Sequence, residues 1–154
     1  MQVWRISKAK YAHSAFSGEG AKLFDARWNF AGVPMVYTSS SLALAAIEFF
    51  VHLDPNEAPP ALLSLMADIP DELRMERVDV NELPSNWRKT DNPQLQRLGT
   101  DWIKSLSSVA LRVPSAAVDG EWNVLLNPLH PDFRKVLISS PRPFHYDDRM
   151  FKRR

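Results

Sequence analysis

Pro34-Met35-Val36-Tyr37-Thr38 is followed by Ser39-Ser40-Ser41 and then by Leu42-Ala43-Leu44-Ala45-Ala46-Ile47-Glu48-Phe49-Phe50-Val51-His52-Leu53. The first five residues are β-branched and aromatic enough for a short strand. The serine hydroxyls can accept hydrogen bonds from amides that a first helical turn leaves unpaired. A helix is therefore predicted from just after Ser41 to Leu53, stopped near Pro55. Working outward, strands are predicted over Gln2–Ile6, Leu62–Ile69, Glu76–Val80, Val109–Val113, Asn123–Asn127 and Lys135–Ser139. A second helix opens with Asn92 as cap and Pro93 at its first position, and its stripe of Leu95, Leu98, Trp102, Ile103 and Leu106 is assigned to the core. A shorter helical turn fits Lys8–Phe16, and prolines such as Pro59-Pro60, Pro84, Pro114 and Pro141 to Pro143 mark connections. Strands and helices do not alternate regularly, which predicts an α+β fold with a twisted mixed sheet rather than a doubly wound one. No linker or repeat interrupts the chain, so residues 1–154 are read as one domain.

The 154 residues are 45% apolar and 24% charged, the balance of a soluble globular domain. A chain of this size can bury about two-thirds of its unfolded surface without disulfide staples. There is no cysteine, which excludes a disulfide scaffold, a thiolate metal site and a cysteine nucleophile, and suits the cytoplasm. The longest apolar run is broken by Glu48 and His52 and is too short for a bilayer. Residues Met1 to Arg5 lack a secretory pattern, so neither membrane insertion nor export is expected. Net charge is +1, but residues 141–154 hold five Lys/Arg against two Asp/Glu, so the basicity is a tail rather than a groove. Asp54 to Glu82 carries eight acids against Arg74 and Arg77, which argues against direct nucleic-acid binding. Phosphate-loop, dinucleotide-fingerprint, zinc-protease and nucleophile-elbow motifs are absent. His13, His52, His130 and His145 have no metal-ligand spacing, and no metal is expected.

Four places carry chemistry. Glu48 is the one polar residue among ten from Leu42 to Val51. It reads either as the wet side of a helix or as a partly dehydrated carboxylate, the form needed by a general base or by a counter-charge to a cationic transition state. Arg27 follows Asp25-Ala26 and precedes Trp28-Asn29, just before a Gly/Pro-punctuated turn; it can stack on Trp28 or present its fork to a phosphate or carboxylate. Ser115 follows Val113-Pro114 at a strand end, as a turn residue or as a site hydroxyl. Asn123 and Asn127 bracket an apolar strand, and His130 lies between Pro128 and Pro131, where a structural role suits it best.

Arg27-Trp28-Asn29, Val36-Tyr37-Thr38-Ser39, Leu42-Ala43 through Glu48, Pro114-Ser115-Ala116 and Asn123 to Phe133, in that order, resemble the RES domain, named for its Arg, Glu and Ser. The likeness runs from Trp4-Arg5-Ile6 to Ile138, with departures at Asp25-Ala26, where the family often has glycine before its arginine, and at Phe30, where a small or polar residue is common. The resemblance implies an ADP-ribosyltransferase-like fold and the toxin of a bacterial toxin–antitoxin pair that consumes NAD⁺ as substrate, without a separate cofactor. It implies a partner antitoxin of the Xre helix-turn-helix type, which binds the toxin in a hetero-oligomer and contacts DNA on its behalf. Carried onto this chain, Arg27 would hold the dinucleotide phosphates, Tyr37 would lie at the nicotinamide end and Glu48 would face the reacting ribose. Ser115 would complete the pocket, with Asn123 beside it.

Breaking the nicotinamide–ribose bond leaves oxocarbenium character at the anomeric carbon, so such an enzyme needs negative charge there and a grip on the pyrophosphate. Glu48 has the most apolar setting of the conspicuous carboxylates; Asp101 and Asp119 read as solvated. The acceptor stays open between water, phosphate and a target protein. A non-catalytic interaction module is the reading if Glu48 is an ordinary helix residue. An RNA-cleaving toxin would need His130 and His52.

Overall fold

The structure, a computed structural model, describes residues 1–57 and 60–151. Pro59 of the expected Pro59-Pro60 connection and the basic residues Lys152, Arg153 and Arg154 lie outside the described residues. The strands are β1 (Gln2–Lys8), β2 (Val36–Ser39), β3 (Leu62–Asp68), β4 (Met75–Arg77), β5 (Ala110–Pro114), β6 (Trp122–Leu126), β7 (Leu137–Ile138) and β8 (Arg142–Phe144). The α-helices are α1 (Glu19–Leu23), α2 (Leu42–Phe50) and α3 (Pro93–Ser105), with short 3₁₀ turns including Ala9–Ser14 and Pro131–Lys135. The strands form one sheet in the order β4-β5-β6-β2-β1-β3-β7, with β8 also on β3. Every pairing is antiparallel except β4 with β5. The expected α+β class holds.

The joint at the middle of the sheet shapes everything else. β1 pairs with β3 over its full length, and β2 with β6 over all four of its residues, but β1 meets β2 only at Trp4 opposite Ser39. The two halves part beyond that point. The Tyr37 carbonyl, outside that single pairing, accepts from Arg5 Nη1 at 3.1 Å.

Side-chain alternation sends Tyr37, Leu125, Leu111 and Val113 to one face of the sheet, where they pack with Leu95, Trp102 and Ile103 of α3 and with Trp28. Val36, Val124, Leu126, Val3 and Leu65 face the other way, under Phe16 and Val136. Over β1, Ile6 and Leu62 meet Ala45 of α2, with Phe49, Phe144 and Tyr146 around them. The C-terminal stretch straps α2 in place. The Tyr146 hydroxyl donates to the Ala46 carbonyl at 2.5 Å, and its ring lies 4.9 Å from Phe144, 5.6 Å from Phe50 and 5.8 Å from Phe151 in edge-on contacts.

Both helix starts form as expected. The Ser41 hydroxyl accepts from the Leu44 amide at 3.1 Å, and Asn92 Oδ1 accepts from the Gln94 amide at 3.0 Å. Ala9–Ser14 is the predicted turn after β1. Several boundaries differ. α2 ends at Phe50, because His52 and Leu53 tighten into amide bonds to carbonyls three residues back. β4 stops at Arg77, and Asp79 caps a 3₁₀ turn in place of the rest of that strand. Lys135–Ser139 shrinks to Leu137–Ile138, since Pro131–Lys135 is helical. Leu106 leaves the core stripe: it ends α3 in the left-handed conformation at φ 52° and is exposed. α1 and β8 were not foreseen. Pro143 is tolerated in β8 because that strand lies off the main path of the sheet, where a missing amide donor disrupts little.

Candidate active site

Glu48 lies at the end of the second turn of α2, one short loop after β2, and is half-buried. Two neutral donors converge on the same oxygen, Oε1: the Ser115 hydroxyl at 2.6 Å and the Asn123 side-chain amide at 2.6 Å. Ser115 comes from the turn just after β5 and Asn123 from the neighbouring β6, so α2 meets a strand pair 67 to 75 residues further along the chain. The Ser115 hydroxyl is itself held, accepting from the Ala117 and Val118 amides at 3.1 Å each, and the residue is 2% exposed. It therefore lies behind the carboxylate rather than on the open side of the site. Asn123 Oδ1 accepts from the Ser39 hydroxyl at 2.8 Å.

Arg27 is presented by a tight turn. The Ala26 and Asn29 backbones bond to each other at 3.0 and 3.4 Å, which puts Arg27 and Trp28 at the tip. Asn29 is fully buried and fixes this turn: its Nδ2 donates to the carbonyls of Ala21, Phe24 and Phe30, and its Oδ1 accepts from the Tyr37 hydroxyl at 2.7 Å. The turn is seated on α3, where the Phe30 amide donates to Thr100 Oγ1 at 3.0 Å and Gly99 lies against the Trp28 carbonyl. Arg27 does not rely on stacking with Trp28. Its Nη1 donates to the carbonyls of Trp87 and Arg88. Burial lowers the guanidinium below its ordinary pKa, opposed by the Glu48 carboxylate and by Tyr37, so both groups lie near enough to act on Arg27.

Tyr37 donates to Asn29 Oδ1 and accepts from the Trp28 amide at 3.2 Å. Burial raises its phenol well above the usual tyrosine range, with the Trp28 amide and Arg27 opposing. The Tyr146 phenol is likewise pushed up by burial, to about 12. A group whose folded pKa is raised stabilises the fold fully below its unfolded value, about 10 for tyrosine, and loses that contribution as pH rises through the folded value. Urea midpoints are therefore expected to hold up to about pH 10 and to fall from there toward pH 12, and Tyr37→Phe to flatten that slope. At neutral pH the same variant is expected to cost about 1–3 kcal/mol, because it leaves the Asn29 oxygen and the Trp28 amide unpaired. An unchanged urea midpoint at pH 7 would contradict this account of the turn.

The structure thus joins Glu48, Ser115 and Asn123 by direct hydrogen bonds, and Arg27 lies within electrostatic reach of Glu48 and of Tyr37. His130 and Asn127 are elsewhere and structural. His130 Nδ1 caps the 3₁₀ turn by accepting from the Asp132 amide, and Asn127 Nδ2 donates to the Ile103 carbonyl. Asp101 and Asp119 are exposed, as expected. Four residues that sequence reasoning gave no role now stand out: Asn29, Ser39, Thr100 and Arg5. Arg5 fills the parting between β1 and β2, and its buried Nε has no hydrogen-bond partner among the described residues. A tryptophan-arginine pair at a strand start carries no signal of this. Two hollows, of about 310 Å³ beside Trp102 and about 240 Å³ beside Trp4, lie away from the Glu48 cluster. Converging donors, not volume, mark the site.

A twisted, mostly antiparallel eight-stranded sheet flanked by a few helices defines the class, a mixed α+β domain. The RES domain profile matches residues 2–147, and the chain belongs to that family. "Toxin Res" of Photorhabdus laumondii is 38% identical over 99% of this chain and 98% of its own length. The "Prs ADP-ribosylating toxin" of a Sphingobium species is 35% identical, over 97% of this chain and 96% of its own. A chain in the crystal structure of the M. tuberculosis MbcT–MbcA toxin–antitoxin complex shares the fold with a TM-score of 0.72 at 18% identity, covering 93% of this chain and 83% of that one.

Proposed function

We propose that the protein is the toxin of a toxin–antitoxin pair and that it uses NAD⁺ as substrate, releasing nicotinamide and transferring ADP-ribose to water or phosphate. The observation that carries the chemistry is the convergence of Ser115 and Asn123 on one oxygen of Glu48, which holds the carboxylate in one orientation and leaves Oε2 to face a substrate. The family and the relatives named as toxins support the biological role. In the reaction the bond between nicotinamide nitrogen and ribose C1′ breaks, and its electron pair leaves with neutral nicotinamide. Glu48 Oε2 faces the cationic sugar carbon until water adds there and releases a proton, or phosphate adds in its place. Arg27, anchored through Nη1, offers the rest of its guanidinium to the pyrophosphate. Tyr37, kept protonated by burial, walls the nicotinamide end.

The partner is an antitoxin of the Xre type that covers this site, and the place of action is the cytoplasm, where NAD⁺ is abundant. A second acceptor, a protein side chain, is favoured by the Sphingobium relative named as an ADP-ribosylating toxin. Of the two imidazoles an RNA-cleaving reading would need, His130 caps a 3₁₀ turn through Nδ1, which leaves His52 without the partner that an acid–base pair requires.

The test is incubation of the purified, antitoxin-free chain with NAD⁺, with and without phosphate, followed by quantification of nicotinamide and mass analysis of products. Nicotinamide matched by free or phosphorylated ADP-ribose is the expected result. A mass increase on added bacterial protein would move the acceptor to protein, and undiminished NAD⁺ would end the proposal.

A further inference from the structure

We propose that Ser39, a buried residue of β2 bonded to Asn123 rather than to Glu48, is a positioning residue that acts through Asn123 to decide which oxygen of Glu48 meets the substrate. A side-chain amide has an accepting end and a donating end, whereas a carboxylate only accepts. Asn123 must therefore turn its NH₂ toward Glu48, as it does at 2.6 Å, and its carbonyl end then needs a donor of its own. Ser39 supplies it from the opposite strand at 2.8 Å. The sheet register enforces the meeting, since Ser39 and Asn123 are direct partners across β2 and β6. At 4% exposure, Ser39 leaves little room for water to do the same work. A reversed amide would set Oδ1 against the carboxylate, acceptor to acceptor. With the Asn123 amide and the Ser115 hydroxyl both on Oε1, Oε2 is the oxygen left for chemistry.

The inference rests on the proposed reaction for its rate prediction and on geometry alone for its structural one. Ser39→Thr and Ser39→Val introduce side chains of nearly the same shape, one with a hydroxyl and one without, so their difference isolates the hydrogen bond. The valine variant is expected to turn over NAD⁺ about tenfold more slowly than the threonine variant, in kcat, with KM within about twofold, the size of one lost hydrogen bond. Independently of any substrate, the two Asn123 side-chain NH₂ proton resonances should stay sharp and slow to exchange in the threonine variant and broaden in the valine variant. If either β-branched side chain prevents folding, Ser39→Ala against the parent chain makes the same comparison. Identical Asn123 resonances in the two variants overturn the relay whatever the rates, and so does a difference confined to KM. If the parent chain leaves NAD⁺ intact, the proposed reaction fails and the Asn123 resonances alone decide this inference.

Discussion

Glu48→Gln is expected to slow NAD⁺ consumption by about a thousandfold while the protein melts within a few degrees of the parent. A carboxylate about 4 Å from a developing cation gains roughly 4 kcal/mol at an effective dielectric near 20, and each 1.36 kcal/mol is tenfold in rate. The gain counts toward the rate to the extent that the charge, which rests on the nicotinamide ring in bound NAD⁺, moves onto the ribose carbon facing the carboxylate in the transition state. Glutamine is nearly isosteric, and its amide oxygen can take over the bonds from Ser115 and Asn123, so the packing of α2 on β1 and β2 survives. Nicotinamide release by the purified variant, together with its thermal melt, checks both halves. A parental rate would remove Glu48 from the chemistry, and an unfolded variant would show that the charge serves the fold.

The second large effect is on stability. Gly99 lies in the middle of α3, where alanine is ordinarily better by about 1 kcal/mol. Here a Cβ would fall 1.8 Å from the Trp28 carbonyl oxygen and 2.8 Å from its carbon, a clash with backbone that no rotamer relieves. Helix and turn must separate, which also strains the Phe30–Thr100 bond. Gly99→Ala is expected to cost about 3 kcal/mol, the upper part of the overpacking range, or roughly 6–12 °C in melting temperature for a chain of this length. Gly20→Ala is the control, because nothing lies within 4 Å of its added Cβ. If Gly99→Ala melts with Gly20→Ala, the close approach of α3 to the Arg27 turn is wrong. Because that turn carries Arg27, the same substitution should also lower NAD⁺ turnover in whatever protein remains folded.

The contrast between these two residues tracks what a sequence makes visible. Glu48 is conspicuous because its neighbours in the chain are apolar, and the caps at Ser41 and Asn92 are local as well. Strand positions followed from short β-branched runs, and the α+β class from their irregular alternation with helices. The hidden parts depend on pairing at a distance. Ser39 meets Asn123 across 84 residues, and Phe30 meets Thr100 across 70. Nothing near Gly99 announces that a tryptophan carbonyl will press against it. Asn29 stands in the Arg27-Trp28-Asn29 motif, yet its work is done by four bonds that only the folded turn assembles. Leu106 fitted the helical stripe by spacing alone and failed because the helix ends there. The parting of β1 from β2 is likewise a matter of sheet order, which local patterns do not encode.

The strap across α2 has a consequence for biosynthesis. Phe144, Tyr146 and Phe151 leave the ribosome long after Ala46 and Glu48 have emerged, so a nascent chain displays the glutamate helix before anything clasps it. In a growing polypeptide of this kind the clasp on the glutamate helix can close only after those aromatic residues have been synthesised.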